Sequence, residues 1–392
     1  MLKILYISSI TPDTSCGAHI AIYRHLVYKQ DFEVTVCGTS ANLALTKAQF
    51  KLQRNSLLER LRRTRLAQFI FNLDYLANWY FIPKKLEAYA REYQPDVIFT
   101  VPDNIHAGLA MKLSKKLNIP LVVDFQDLFP LSQFLSSTMK PFGFVRKFLT
   151  QKFRELHDRA DLAFYTSEGM QQWFGQHDNG HVLYPVGDFE RPQLAIADNK
   201  IKPSKRITVV YAGNCYGAYG RMLLKFAREV KNSDRIHLKI FPVGKGWTDE
   251  EIQEMTEAGI YQSFMPFEQL RQEFQNADAF LTVMSFEKPE QPFVQTSFTT
   301  KWLDYVPYSK PIFVWSPEYA SASIFAKKHD CGVVVETDDA GSLKNSILDL
   351  ANSPEQWTYY SKQARKVSDR VLNPESIHQL FVDQIKTTVE AS

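Results

Sequence analysis

Apolar, β-branched runs alternate with segments of helical spacing along most of the chain. "KILYIS" (3–8), "FEVTVCG" (32–38), "DVIFTV" (96–101), "PLVVDF" (120–125) and "DLAFYT" (161–166) read as strands buried on both faces. "AHIAIYRHLVYK" (18–29) between the first two has apolar residues at helical intervals. The pattern stops at "VLYPVGDFERPQLAIADNKIKPSKR" (182–206), a linker-like stretch rich in proline and charge. It restarts with "ITVVYAG" (207–213), "IHLKIFPVG" (236–244), "DAFLTVM" (278–284) and "CGVVVE" (331–336), with helical "RMLLKFAREV" and "EQLRQEFQNA" between them. This alternation predicts an α/β chain of two Rossmann-like, doubly wound domains facing a central cleft. The expected boundaries are 1–190 for the first domain, 191–205 for a linker and 206–370 for the second. A helical segment, 371–392, is expected to pack back on the first domain. Ligands of such sheets sit at the carboxyl ends of the strands, so the cleft is the expected site.

Composition narrows the class without changing it. With 392 residues, 45% apolar and 23% charged, the chain is globular and long enough for two cores. A net charge of +3 gives no argument for nucleic acid. Cys16, Cys37, Cys215 and Cys331 form no CxxC pair, which speaks against zinc or a disulfide framework and for a reducing compartment. The N-terminus lacks the pattern of a signal peptide, and the most apolar window, 69–83, contains Asp74 and is too short to span a bilayer. These features predict a cytoplasmic protein. From Lys47 to Arg65 the chain holds seven basic residues and one acid, Glu59. That segment reads either as a solvated helical face or as a surface for anionic lipid or an anionic acceptor.

Two glycine-containing turns follow first strands. In "YAGNCYGAYGR" (211–221), Gly213, Gly217 and Gly220 punctuate a strand-to-helix turn. Glycine lets backbone N–H groups approach an anion, and a helix N-terminus adds partial positive charge. The spacing matches neither GxGxxG nor a P-loop, so an ordinary turn and a phosphate loop both stay open. In "TPDTSCGAHI" (11–20), Gly17, Ala18 and His19 open the first helix at the expected cleft loop, where His19 reads equally as a surface residue. A third stretch, "TSFTTKWLDYVPYSKPIFVW" (296–315), puts Thr300, Lys301 and Asp304 on one helix face. It is either a threonine-capped helix with a Lys–Asp pair or an anion cradle with a carboxylate beside it.

The layout resembles a GT-B glycosyltransferase and, within that class, glycosyltransferase family 4. "TSFTTKWLDYVPYSKPIFVW" is similar to the family's "psKl.EYla.GkPvi" segment, with Lys301 matching the lysine and Asp304 the ribose-binding glutamate. "YAGN" resembles the first strand of the nucleotide domain, "FPVGKG" its "ivGxG" turn, and "SFMPFEQLRQEFQNADAFLTV" the base-contacting turn and next strand. "PDTSCGA" stands where a Gly-Gly loop is usual, "RADLAFYTSEGM" resembles "aD.vi..S..m", and "VVDFQDLFP" is similar to a "D-x-W-P" segment of enzymes acting on lipid-linked sugars. Departures are Thr296 in place of a family acid, Asp304 in place of glutamate, Cys16 in place of glycine, and Asn214 and Tyr219 near the positions of diphosphate-gripping cations.

The resemblance implies transfer of a sugar from a nucleotide-diphosphate sugar to a glycan or lipid-linked acceptor, with retention and without metal or other cofactor. The setting implied is cell-surface polysaccharide or glycoconjugate synthesis at the cytoplasmic membrane face. The diphosphate would meet Gly213, Asn214, Gly217, Arg221, Lys245, Thr299, Thr300 and Lys301, the ribose Asp304, and the base Met265 and Pro266. The first domain would hold the acceptor, with His106 and Asp127 as catalytic candidates. A non-catalytic subunit that binds a nucleotide sugar, or a nucleotide-sugar 2-epimerase, would use the same fold.

Overall fold

The structure is a computed structural model that describes residues 1–14, 17–38, 48–52, 60–103, 106–131, 141–191 and 206–392. The chain divides into two compact units: Met1–Val186 with Glu375–Ser392, and Gly187–Pro374.

The first unit is built on seven parallel strands: β1 (Lys3–Ile7), β2 (Glu33–Gly38), β3 (Ala48–Lys51), β4 (Val97–Thr100), β5 (Leu121–Phe125), β6 (Leu162–Tyr165) and β7 (Gly180–Val182). Their order is β3-β2-β1-β4-β5-β6-β7, the doubly wound order with its reversal between β1 and β4. Side chains alternate between faces. Leu5, Ile7, Ile98, Leu121, Val123 and Phe125 join one core against the helices His106–Leu117 and Gly143–Arg159. On the other face lie Phe99 and Phe164, and Phe381 of the helix Pro374–Glu390 packs 5.6 Å from each ring. That helix is tied further by His378, whose Nδ1 lies 3.1 Å from Nδ1 of buried His25 and whose Nε2 lies 2.8 Å from Asp31.

The second unit carries β8 (Ile207–Asn214), β9 (Ile236–Val243), β10 (Ala279–Val283), β11 (Ile312–Trp315) and β12 (Val333–Val335). All are parallel, in the order β12-β11-β10-β8-β9, so the reversal falls between β8 and β10. The helix Gly217–Val230 buries Leu223, Phe226, Ala227 and Val230 on this sheet at helical spacing. The α/β class and both doubly wound sheets are therefore as expected.

Two strands escape the apolar pattern. Ala48–Lys51 lies in the stretch read as a helical face or basic surface, yet it pairs in parallel with Thr35–Gly38 as an edge strand. Residues 47 and 53–59 of that stretch lie outside the described residues. β7, only three residues and half-buried, pairs with β6 in what reads as the approach to the linker.

Candidate active site

In the second unit β8 reaches its reversal point at Gly213 and Asn214. Gly213 has φ +138°, and a Cβ there would sit 3.0 Å from Nζ of Lys301 and 3.1 Å from its Cε. Glycine is thus what lets the lysine lie against this backbone. The ammonium also stands 4.9 Å from the centre of the Tyr211 ring. Enclosure lowers the Lys301 pKa to about 8, with Asp304 partly offsetting the shift. Lys301 makes no ion pair among the described residues, so it is a desolvated cation beside exposed backbone.

The five-residue helix Lys301–Tyr305 is fixed there by its last residue. Tyr305 Oη accepts from the Ala212 N–H at 2.9 Å, and its ring stacks on Phe280 at 4.4 Å. Trp302 is buried against Phe325. Thr300 occupies the N-cap position, but its side chain caps nothing. The hydroxyls of Thr299 and Thr300 have no partner among the described residues. A threonine-capped helix with a Lys–Asp ion pair therefore does not describe this segment. Thr296 is buried and bonds back to the Pro292 carbonyl at 2.7 Å, inside its own helix. Asp304 lines a small hollow with Asp188, Arg271 and Tyr308, where Arg271 binds Asp188 at 2.7 Å.

The other candidates of this unit are placed differently. Asn214 Oδ1 accepts from the Tyr216 N–H at 2.9 Å and shapes the turn. Gly217, at φ +61°, starts the next helix. Arg221 is exposed and held by Glu287, and Lys245 is exposed and held by Asp249 at 2.5 Å. The structure thus brings Lys301 to Gly213 but directs these two cations to carboxylates. Met265 is half-buried, and Pro266 is the exposed residue before the helix Phe267–Asn276. Gly220 serves packing: a Cβ on it would stand 2.3 Å from the Cys215 carbonyl oxygen.

In the first unit the reversal between β1 and β4 is closed by Asp103. Its Oδ2 accepts from the Ser9 N–H at 2.7 Å, and Oδ1 from the His106 N–H at 2.6 Å. His106 Nδ1 lies 2.8 Å from Oδ2. Burial would raise the Asp103 carboxyl, but the charge and hydrogen bonds of His106, with Ser9, outweigh it and hold it well below the usual carboxylate range. His106 is fully buried, and its Nε2 has no hydrogen-bond partner among the described residues. Asp127 is exposed beyond β5. Gly17 and Ala18 begin the helix Gly17–Tyr23, and His19 Nδ1 meets the Thr11 carbonyl at 2.7 Å and Asp13 at 3.3 Å. His19 therefore pins the preceding loop.

Two acids were not selected from the sequence. Asp103 orients His106, and the signal was an Asp–His pair three apart where a strand ends. Asp124 is buried within β5, with Oδ1 unpartnered; burial raises its pKa to about 7 and a hydrogen bond from Gln126 opposes this. Its signal was a carboxylate inside the apolar run "LVVDF".

Two tandem Rossmann-like units, the second with a lysine–glycine cradle at its reversal point, make this a GT-B-fold chain that resembles glycosyltransferase family 4. Residues 21–188 match the family model described as Glycosyltransferase Family 4. No curated protein matches by sequence. Among solved structures, sucrose-phosphate synthase from Thermosynechococcus elongatus superposes with TM-score 0.66 at 14% identity over 100% of both chains. HepE from Anabaena in complex with UDP gives 0.68 at 14% identity, over 99% of this chain and 100% of that one. The UDP-forming α,α-trehalose-phosphate synthase from Burkholderia xenovorans, in complex with glucose-6-phosphate, gives 0.63 at 12%, over 98% and 100%. At these identities the likeness is one of fold.

Proposed function

We propose that this protein is a glycosyltransferase that moves a sugar from a nucleotide-diphosphate sugar to a glycan or lipid-linked acceptor. The observation that carries this reading is the half-buried Lys301, without an ion-pair partner among the described residues, lying against the positive-φ Gly213 at the reversal point of the second sheet. An anion there would gain a cation already stripped of much of its water, with the Thr299 and Thr300 hydroxyls close in sequence. HepE has been solved with UDP and with UDP-glucose, which supports a nucleoside diphosphate as the group received.

In this reading the bond from the sugar's anomeric carbon to the diphosphate breaks, and a bond to an acceptor oxygen forms. Lys301 and neighbouring backbone N–H groups stabilise the departing charge, and the acceptor proton passes to the diphosphate. The chemistry is retaining and metal-independent. Asp304 receives the ribose, and the turn at Met265 and Pro266 the base. Asn214 and Gly217 shape the phosphate turn, while Arg221 and Lys245 would have to leave their carboxylates to join it. The first unit serves the acceptor through Gly17, Ala18, His19, Asp127 and the buried Asp103–His106 pair, whose His106 Nε2 has no hydrogen-bond partner among the described residues. The work belongs to cell-surface glycan synthesis at the cytoplasmic membrane face, where the basic run 47–65 meets anionic lipid.

The test is calorimetric titration with UDP, GDP and ADP in EDTA, followed by mass analysis of sugar transfer. Lys301→Ala should weaken the preferred nucleotide by about tenfold to a hundredfold, the worth of a charge-assisted contact. Failure of every nucleoside diphosphate to bind overturns the reading.

A further inference from the structure

The helix Ala67–Asn78 buries Ala67, Ile70, Asn72 and Tyr75. Asn72 accepts from the Phe142 N–H at 2.9 Å and so anchors the start of the helix Gly143–Arg159. An amphipathic surface helix would be polar on its outward arc. Here that arc carries Leu66, Phe69, Leu73 and, just beyond the helix, Tyr80, all exposed, Phe69 to 53%. Counted at helical spacing, these four fall within about 60° of one another. Phe81 is exposed to 72% and Phe144 to 65%. Tyr80 stacks on Phe148 at 5.8 Å, which joins the stripe to the helix bearing Phe144. Scattered exposed apolar residues are ordinary, but a continuous stripe of this size marks a contact surface.

Charge identifies what it contacts. Residues 60–86 contain six Lys or Arg and 141–154 contain four, against a single acid, Asp74. Arg62 already binds Asp74, and Lys152 binds Glu155 just beyond the second stretch. Arg63 and Arg65 at one end and Lys84 at the other are exposed. A protein partner is ordinarily met by a polar rim of mixed hydrogen-bonding character. A rim of one sign around bare hydrocarbon is complementary to anionic headgroups over acyl chains. Among the described residues no helix is long and apolar enough to cross a membrane, so the contact is peripheral.

We infer that this face of the first unit docks on an anionic lipid surface. The stripe with Phe81 and Phe144 enters the headgroup–acyl boundary, and the flanking cations neutralise the headgroups. The inference deepens the membrane-facing part of the reading above and assigns it to residues other than 47–59. Its test uses no nucleotide, so either can fail without the other.

The experiment is co-sedimentation of the full chain with vesicles of phosphatidylcholine alone and with phosphatidylcholine containing phosphatidylglycerol. Binding to the anionic vesicles should be at least about tenfold tighter and should weaken with salt. Phe69→Ser combined with Phe144→Ser should lower it about tenfold, and Arg63→Gln with Arg65→Gln should remove most of the preference for anionic lipid. Circular dichroism checks the fold of each variant. If the serine pair unfolds, the two vesicle types and the arginine pair still decide. Equal binding to both vesicles, or unchanged binding by folded variants, overturns the inference. So does a change from dimer to monomer in the serine pair, which would make this face a self-association surface.

Discussion

A methyl group at Gly213 would press on the Lys301 ammonium from a backbone that L side chains rarely adopt. Gly213→Ala should therefore cost about 1–2 kcal/mol of stability and also weaken nucleotide binding, read by thermal melting with and without UDP. Lys301 adds a pH signature. With a pKa near 8 in the free protein, it is charged below that pH and neutral above it. Nucleoside diphosphate affinity should fall as pH rises, by up to about tenfold per unit above 8, and Lys301→Ala should flatten the profile in calorimetry. The sequence shows Lys301 and Gly213 as separate features, 88 positions apart. It cannot show that β8 and a five-residue helix put one against the other. Asp103 was hidden for a similar reason: its bond to the Ser9 N–H depends on the pairing of β1 with β4.

At the scale of elements, the helix Lys301–Tyr305 is too short to hold itself, and cooperative helix formation gives it little. Tyr305 supplies the anchor through Ala212 and Phe280. Tyr305→Phe keeps the stack and removes the hydrogen bond. It should cost about 1 kcal/mol by urea unfolding and loosen the proposed nucleotide site, seen as weaker UDP binding with little change in secondary structure. Strands buried on both faces were legible because burial demands an unbroken apolar run. The edge strand Ala48–Lys51 was not: alternate residues face solvent, and lysine and glutamine satisfy that position as well as a helix surface. β7 is shorter still and announces itself only through its partner. Gly220 read like a ligand loop because the same freedom that admits a phosphate also admits a neighbouring carbonyl.

Across the whole molecule, the first unit is assembled from both ends of the chain. Phe381 is fully buried among Phe32, Phe99, Phe164 and His25. Removing residues 375–392 should unfold the first unit while the second keeps its own melting transition, checked by calorimetry of the truncated chain. The tie at His25 makes this junction acid-sensitive. Burial, then the charges of His378 and Arg24, hold His25 well below the usual imidazole range. Below about pH 6.5 the unfolded chain takes up a proton that the folded one refuses, so stability falls with acidification. His25→Gln should reduce that slope in urea titrations at successive pH values. The joining of the two ends also sets an order of events during synthesis. The ribosome delivers the first sheet early, yet the helix that packs on its second face is translated only after the whole of the second unit. A nascent chain must therefore carry Phe99 and Phe164 without the Phe381 ring while the entire second unit is made.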